Sequence, residues 1–380
     1  MKTLRILIIT GNFYNNKDGV SITLHKLADY LHNKSIRVLV IAPYSGKKSG
    51  KPYPVIEAPS LPVPFRTEYQ FSMGFSKKIK QQILQFAPAI IHIATPDLLG
   101  CSAIRLAKKY QIPVVTSLHT NFLDYLPYYH LSWLKPLVLR YGRWFYGQCE
   151  DIYCPSESIY RFLIKNNIQH TKKIWGRGVS HEMFNPERRS EQWRRDRNIR
   201  NDRIIVTWVS RLVKEKNLLL FIEAIKQSMA RFPQILPLIV GDGPMLPSAR
   251  QQLPNAHFAE FLESEALAEA YANSDIFVFP SVSETFGSVT LEAMACGLPC
   301  VVADSPGSRC LVSDNVTGHV IRELSASNFS MSINHLVQHP AQRKAFGKKG
   351  YQKSLSYRTD ACNETLLNYY KACIEKYRLR

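Results

Sequence analysis

The chain is 380 residues long, more than a single hydrophobic core supports, so two domains are the default expectation. Its 45% hydrophobic and 21% charged residues are ordinary for a globular protein, and no run of eighteen apolar residues is present to span a bilayer. A formal net charge of +19 is not ordinary; it calls for an anionic partner, whether nucleic acid, an anionic membrane surface or an acidic substrate.

Eight cysteines without a C-x-x-C pair fit free thiols in a reducing compartment better than a zinc site or a disulfide frame. Residues 4–10 read as a buried strand and 11–18 as the loop after it; the apolar start is too short for a signal peptide. Gly19-Val20 opens a helix through residue 33 carrying Ile22, Leu24, Leu27 and Leu31, and a glycine at a helix mouth suits close approach of phosphate. A second strand is expected over 37–42. Neither Gly-x-Gly-x-x-Gly nor a Walker lysine motif occurs here, which counts against a dehydrogenase or a P-loop NTPase. Residues 47–64 form a Pro-rich connection. Residues 71–86 are expected to be one helix, with Phe71, Phe75, Ile79, Ile83 and Phe86 on one face and Lys77, Lys78 and Lys80 on another. Such a helix either lies on a membrane or packs as a core helix with a solvated basic face. Strands at 89–93 and 113–118 flank a helix at 98–110. His119-Thr120-Asn121-Phe122 follows at a strand's carboxyl end, where a histidine bonds a sugar hydroxyl or simply packs. Tyr125, Tyr128, Tyr129, Trp133, Trp144, Phe145 and Tyr146 are interleaved with Lys135, Arg140 and Arg143, the composition of a segment lying at a membrane interface. The same mixture fits nucleic acid, but no recognised nucleic-acid module accompanies it.

After a short strand at 152–154, residues 175–203 have the character of a linker ending in a basic run. A strand at 204–209 then leads to Ser210-Arg211, with Glu215-Lys216-Asn217 close behind. The short turn between Arg211 and Lys216 aims both cations at one diphosphate, or leaves a solvated basic loop. A strand at 236–240 ends in the tight turn Gly241-Asp242-Gly243-Pro244, and further strands follow at 258–262 and 275–279. The most informative stretch is next: Glu284-Thr285-Phe286-Gly287-Ser288, then a helix carrying Glu292 that stops at Gly297-Leu298-Pro299 before a strand at 299–303. Glu284 and Glu292 are placed to face one crevice, and a carboxylate accepts two hydrogen bonds from the diol of a ribose or hexose. The backbone of Phe286, Gly287 and Ser288 offers N–H groups at a helix start, which suits phosphate. Together these spell a sugar nucleotide; the bland alternative is that Glu284 caps the helix and Glu292 is solvated. The last helix, 363–377, is amphipathic and basic.

These motifs, in this order, resemble the family 4, group 1 retaining glycosyltransferases, over nearly the whole chain. The specific part is Arg211 with Glu215-Lys216-Asn217, Gly241-Asp242-Gly243-Pro244, Phe279-Pro280-Ser281, Glu284-Thr285-Phe286-Gly287, Glu292-Ala293 and Gly297-Leu298-Pro299. Asp18-Gly19-Val20, His119 and Gly176-Arg177-Gly178-Val179 add to it. The branch it looks most like holds GDP-mannose-dependent α-mannosyltransferases and sulfoquinovosyl-diacylglycerol synthases. The resemblance implies an α/β chain of GT-B fold: two Rossmann-like domains with parallel sheets facing a cleft. The acceptor-side domain would be residues 1–178, completed by a C-terminal helix at about 360–380, and the nucleotide-sugar domain residues 179–359. It implies that Arg211 and Lys216 hold the diphosphate, that Glu292 binds the ribose, and that Glu284 with Phe286, Gly287 and Ser288 holds the donor sugar. Gly19 would approach the diphosphate, Gly241 would border the base, and His119 would contact the sugar near the reacting carbon. No metal and no cofactor are implied, since the nucleotide sugar is a substrate.

The expected activity is transfer of a hexose, with GDP-mannose favoured as donor, to a lipid or lipid-linked acceptor on an anionic cytoplasmic membrane face, without a nucleic-acid partner. The alternatives are a UDP-sugar-dependent transferase acting on diacylglycerol or a soluble glycan, and a non-catalytic sugar-nucleotide-binding protein. The chain departs from its relatives at Asp18-Gly19, where many have Gly-Gly, and at Ser210, Ser180 and Gly307-Ser308.

Overall fold

The computed structural model describes residues 3–14, 19–44, 46, 50–63, 66–119, 123, 126–168 and 171–380. Asp18, Thr120, Asn121, Phe122 and Tyr125 lie outside them, as do the side chains of Tyr128 and Tyr129. The chain forms two compact units, Met1–Arg177 with Thr359–Arg380, and Gly178–Arg358.

The first unit runs β1 (Arg5–Ile9), α1 (Gly19–Asn33), β2 (Arg37–Pro43), β3 (Val55–Ala58), β4 (Ser60–Val63), β5 (Arg66–Ser72), α2 (Lys77–Phe86), β6 (Ile90–Ile93), α3 (Leu98–Tyr110), β7 (Val114–Ser117), α4 (Lys135–Tyr146), β8 (Asp151–Cys154), α5 (Glu157–Lys165) and β9 (Thr171–Ile174). Seven strands pair in the order β3-β2-β1-β6-β7-β8-β9, all parallel. Near-continuous apolar strands follow from burial on both faces. Leu7, Ile9, Leu39 and Ile41 point into one core with Ile79, Ile83 and Ile104, while Ile6, Ile8, Val38 and Val40 point into another with Leu24, Leu27 and Leu31.

The second unit runs α6 (Glu191–Asp196), β10 (Ile204–Val209), α7 (Leu218–Arg231), β11 (Ile235–Val240), α8 (Leu246–Gln252), β12 (His257–Glu260), α9 (Ser264–Ala272), β13 (Ile276–Phe279), α10 (Ser288–Ala295), β14 (Cys300–Ala303), α11 (Pro306–Leu311), β15 (Gly318–Ile321), α12 (Ala326–Gln338) and α13 (Pro340–Ser354). Its six strands are parallel in the order β12-β11-β10-β13-β14-β15. The chain then returns as α14 (Thr359–Arg378), whose Leu366, Leu367, Tyr370 and Ile374 enter the first unit's core beside α1.

Two expectations are corrected. Residues 71–86 are not one helix: Phe71 lies in β5, which pairs antiparallel with β4, and helix α2 begins only at Lys77. Gly74 adopts φ +93° and the Ser76 Oγ accepts from the Ile79 N–H at 3.2 Å, so the chain turns and a new helix is capped there. Ile79 and Ile83 face the core while Lys77, Lys78 and Lys80 stay exposed, so α2 is a core helix with a basic face. The basic run before residue 203 is likewise no free linker. It contains α6, and Arg189 and Arg194 clamp Asp275 from two sides at 2.8 and 3.0 Å. The Asp275 carboxylate also accepts the Ile205 N–H at 2.8 Å, fixing the run to the base of β10.

Candidate active site

In the second unit the chain winds outward from β10 in one direction and from β13 in the other, so the crevice at their carboxyl ends is a topological switch point, where such sheets bind ligands. The loops after β10 and β13 line it and hold most of the predicted residues. Asn217, in the left-handed conformation at φ 54°, ends the turn that carries Lys216, and its Nδ2 donates to the Pro280 carbonyl at 2.9 Å, tying the two loops together. The Lys216 Nζ donates to the Glu284 Oε1 at 2.5 Å, and the Ser281 Oγ donates to the same oxygen at 2.8 Å. The Lys216 and Glu284 side chains are only 18% and 15% exposed, so their attraction is weakly screened by water. Arg211 is half-buried on the same loop as Lys216. Glu284 therefore does not cap α10. That helix has Gly287, φ 91°, at its N-cap, with no side-chain cap bond and no acid in its first turn. Ser288, its first residue, is exposed, while Phe286 is buried against the Tyr357 ring, their centroids 5.9 Å apart.

Glu292 stands half-buried on α10, and its Oε2 accepts from the Tyr271 hydroxyl at 3.5 Å. Tyr271 is fully enclosed, which pushes its phenol well above the ordinary value, with Glu292 as a further cause; it stays a neutral donor. Gly241 has a structural reason of its own: at φ +133° a Cβ there would sit 1.8 Å from the Ser210 carbonyl oxygen. The glycine lets the turn after β11 lie against the Arg211 loop, where Leu212 N–H donates to the Asp242 carbonyl at 3.0 Å. Ser308 turns its hydroxyl back to Ser305 Oγ, 2.9 Å away, on the cap of α11, which accounts locally for that departure. Ser281, Tyr271 and Gly307 were not anticipated as supporting residues. Ser281 lies in the Phe279-Pro280-Ser281 motif and Gly307 in the Gly307-Ser308 pair, whereas Tyr271 acts through packing that no local pattern signals.

In the first unit Gly19 is the first residue of α1, and a Cβ there would meet none of the described residues within 4 Å. His119 follows β7 and is buried. Both ring nitrogens are engaged: Nε2 lies 2.6 Å from Ser117 Oγ and Nδ1 lies 2.6 Å from Arg177 Nη2. A ring-nitrogen bond to a sugar hydroxyl therefore requires one of these to open. Behind it, His92 bridges Ser117 and Tyr370. Burial, and next the Arg177 charge, hold His119 well below the usual histidine range and push His92 down to about 3. Among the described residues no three His, Cys, Asp or Glu side chains gather as a metal site.

The two histidines make the fold acid-sensitive. The unfolded chain binds their protons near pH 6.5 while the folded chain refuses them, so stability is complete above that pH and falls as pH drops towards about 3 for His92. His92 alone is expected to remove about 1.4 kcal/mol per pH unit in that window, and His119 acts in the same direction. Urea unfolding at pH 7 and pH 5 checks this: His92→Gln should flatten the pH dependence by that amount, and an unchanged slope contradicts it.

Residues 17–183 match the family described as Glycosyltransferase Family 4, and residues 189–353 match Glycosyl transferases group 1. A sulfoquinovosyl transferase of Arabidopsis thaliana is 30% identical over 359 residues, covering 92% of this chain and 70% of that protein. A GDP-mannose-dependent alpha-mannosyltransferase of Mycolicibacterium smegmatis is 29% identical over 387 residues, covering 99% of this chain and all (100%) of that one. An alpha-monoglucosyldiacylglycerol synthase of Streptococcus pneumoniae is 26% identical over 329 residues, covering 83% and 74%. Among solved structures, a sucrose-phosphate synthase from Thermosynechococcus elongatus superposes with a TM-score of 0.82 at 18% identity, covering 98% of this chain and 100% of that one.

Proposed function

The chain belongs to the family 4, group 1 glycosyltransferases and has the GT-B fold, and on that premise we propose that it is a retaining hexosyltransferase moving mannose from GDP-mannose to a lipid or lipid-linked acceptor at a membrane surface. As a member of the family it acts on a nucleotide sugar. The observation that carries the reading is the cluster at the β10/β13 switch point: Lys216, Glu284 and Ser281 bonded to one another on the loops that also hold Arg211.

In this reading Arg211 and Lys216 grip the diphosphate, whose negative charge grows as the anomeric C–O bond breaks. The amides of Phe286, Gly287 and Ser288 add hydrogen bonds at a helix start with no side-chain cap. Glu284 holds the sugar hydroxyls, Glu292 the ribose diol, and the turn at Gly241 borders the base. The bonding pair of the anomeric C–O bond passes to the phosphate oxygen. The acceptor hydroxyl then attacks the same face of the oxocarbenium-like sugar, and its proton passes to that phosphate oxygen, so configuration is retained without a carboxylate nucleophile. The fixed cations do the work that a metal would do, so activity should survive EDTA.

The donor assignment draws on the mycobacterial relative's name and the acceptor on the diacylglycerol in the pneumococcal one's. The first unit's surface supports the acceptor. Trp133, Leu137, Tyr141 and Trp144 fall at the spacing of one helical face, with Trp133 73% and Leu137 62% exposed, and Lys135, Arg140 and Arg143 lie among them. Leu61, Phe71 and Met73 of the β4–β5 hairpin and its exit are exposed too. The hairpin exit at Gly74 lies beside Ser102 of α3, and Tyr141 of α4 lies beside Cys101 of the same helix, so both groups flank α3. Aromatic and aliphatic groups among cations fit an anionic bilayer surface. No helix among the described residues is long and apolar enough to cross a membrane. Trp133→Ser with Leu137→Ser is expected to weaken binding to anionic vesicles about tenfold or more, since each buried side chain contributes roughly 1.5–3 kcal/mol. Co-sedimentation at low salt checks it, and undiminished binding removes α4 from the interface.

A second reading, transfer of sulfoquinovose or glucose, is favoured by the names of the other two relatives. Nucleotide release from GDP-mannose, UDP-glucose, UDP-galactose and UDP-sulfoquinovose in the presence of EDTA separates the readings. The anomeric coupling of the product reports retention. Release from GDP-mannose alone, with an α-linked product, is the expected result; release only from a UDP-sugar overturns the donor, and a β-linked product overturns the mechanism.

A further inference from the structure

We propose that Arg177, Ser117, His92 and Tyr370 are positioning residues for His119, forming one buried hydrogen-bonded chain that fixes its imidazole beyond β7 in a single tautomer and orientation. The proposal rests on His119 contacting the donor sugar near the reacting carbon, the role that the family resemblance implies for it. A guanidinium only donates, so the Arg177 Nη2 at 2.6 Å makes the His119 Nδ1 an acceptor. The neutral ring then carries its proton on Nε2, which donates to the Ser117 Oγ at 2.6 Å. The same Oγ lies 2.7 Å from His92 Nε2, and the other His92 nitrogen lies 2.5 Å from the Tyr370 hydroxyl. Trp175 stands edge-on to the His119 ring and Tyr153 edge-on to the His92 ring, each at 5.9 Å, which opposes rotation of either imidazole.

Packing alone gives no reason for this chain. His92 interrupts Ile90, Ile91 and Ile93 in the middle of a buried strand and is itself 0% exposed. An isoleucine there would need no partners, whereas a buried imidazole requires both nitrogens satisfied. The chain of bonds runs from that strand to a histidine at the strand ends, where the sheet presents its chemistry. It also collects the two segments that bound the second unit in sequence. Arg177 is the last residue before the chain enters that unit, and Tyr370 belongs to α14, formed after the chain leaves it. The chemical use is electrostatic. A sugar losing its leaving group develops positive charge, and an imidazolium beside it would oppose that charge. Arg177 on Nδ1 excludes the second proton, and burial acts in the same direction. The neutral ring thus presents the same carbon edge to the sugar throughout the reaction.

Tyr370→Phe keeps the buried ring and deletes the end of the chain; Ser117→Ala cuts it next to His119. The expected result is a fall in kcat of about tenfold for Ser117→Ala and less for Tyr370→Phe, with KM for the donor unchanged within about twofold. In the wild type, 15N spectra of labelled histidine should show His119 as one neutral, Nε2-protonated species from pH 6 to 8, and Ser117→Ala should show mixed tautomers. Wild-type kcat in both variants while His119→Ala is inactive overturns the proposal and leaves the role of His119 standing. Full activity of His119→Ala removes that role and the proposal with it. Should Tyr370→Phe fail to fold, Ser117→Ala and the wild-type spectrum carry the test, and mixed His119 tautomers in the wild type overturn it.

Discussion

Arg211→Ala is expected to lower kcat by about 100- to 1,000-fold, the usual consequence of removing one preorganised contact to a developing negative charge, or roughly 3–4 kcal/mol of barrier. Arg211 is half-buried on a loop, so a melting curve of the variant separates a lost contact to the leaving group from a lost fold. Arg211→Lys keeps the charge and loses the two-pronged fork, so it should recover only part of the rate. Steady-state kinetics on the active donor, beside a melting curve, check this. A wild-type kcat in a folded Arg211→Ala protein would show that the arginine does not meet the leaving group.

The second large effect concerns a residue that touches no substrate in this account. Gly307→Ala would place a Cβ 2.5 Å from both the carbonyl carbon and the carbonyl oxygen of Phe286 and 2.9 Å from its Cα. These are backbone atoms, so no side-chain rotation relieves the clash. Gly307 also donates its N–H to the Glu284 carbonyl at 2.8 Å, so α11 is latched to the loop that carries the carboxylate and the helix-start amides. Overpacking of this kind costs about 1–3 kcal/mol of stability. Moving Glu284 and Gly287 by about 1 Å costs on the order of 100-fold in rate. The variant should therefore lose activity far out of proportion to its loss of stability, with Ser308→Ala next door showing neither effect at that scale. Comparable activity in the two variants, measured well below their melting temperatures, would show that the latch does not govern the site.

The charged residues that the fold gathers at the β10/β13 crevice each stand in a short motif at a strand end, where alternation between apolar strand and Gly-rich loop marks the crevice. Glu284, Lys216 and Arg211 are examples. What the sequence hides is which partners each residue takes in the fold. Nothing local shows that Lys216 pairs with Glu284 across 68 positions, or that Ser281 shares the same oxygen. Phe71, Phe75 and Ile79 follow a helical period by coincidence; the contrary signals, Gly74 and the capping Ser76, lie between them. The strand β9, Thr171-Lys172-Lys173-Ile174, sits at a sheet edge with no fully buried residue, so it lacks the apolar run that marked its neighbours. Composition misread the basic run before β10, because the arginines on Asp275 are bound by a carboxylate more than 80 residues away. His92 stands inside an apolar strand where nothing local marks it, and only the fold brings Tyr370 to it, 278 positions later.

The most direct test of the central claim is transfer of labelled mannose from GDP-mannose into the organic phase of a bacterial lipid extract, with wild-type protein and Arg211→Ala side by side. Label should enter the lipid fraction with the wild type, dependent on added lipid, and fall about 100-fold or more in the variant. Label that never enters lipid, with GDP-mannose left intact by folded protein, would contradict the assignment of donor and acceptor together.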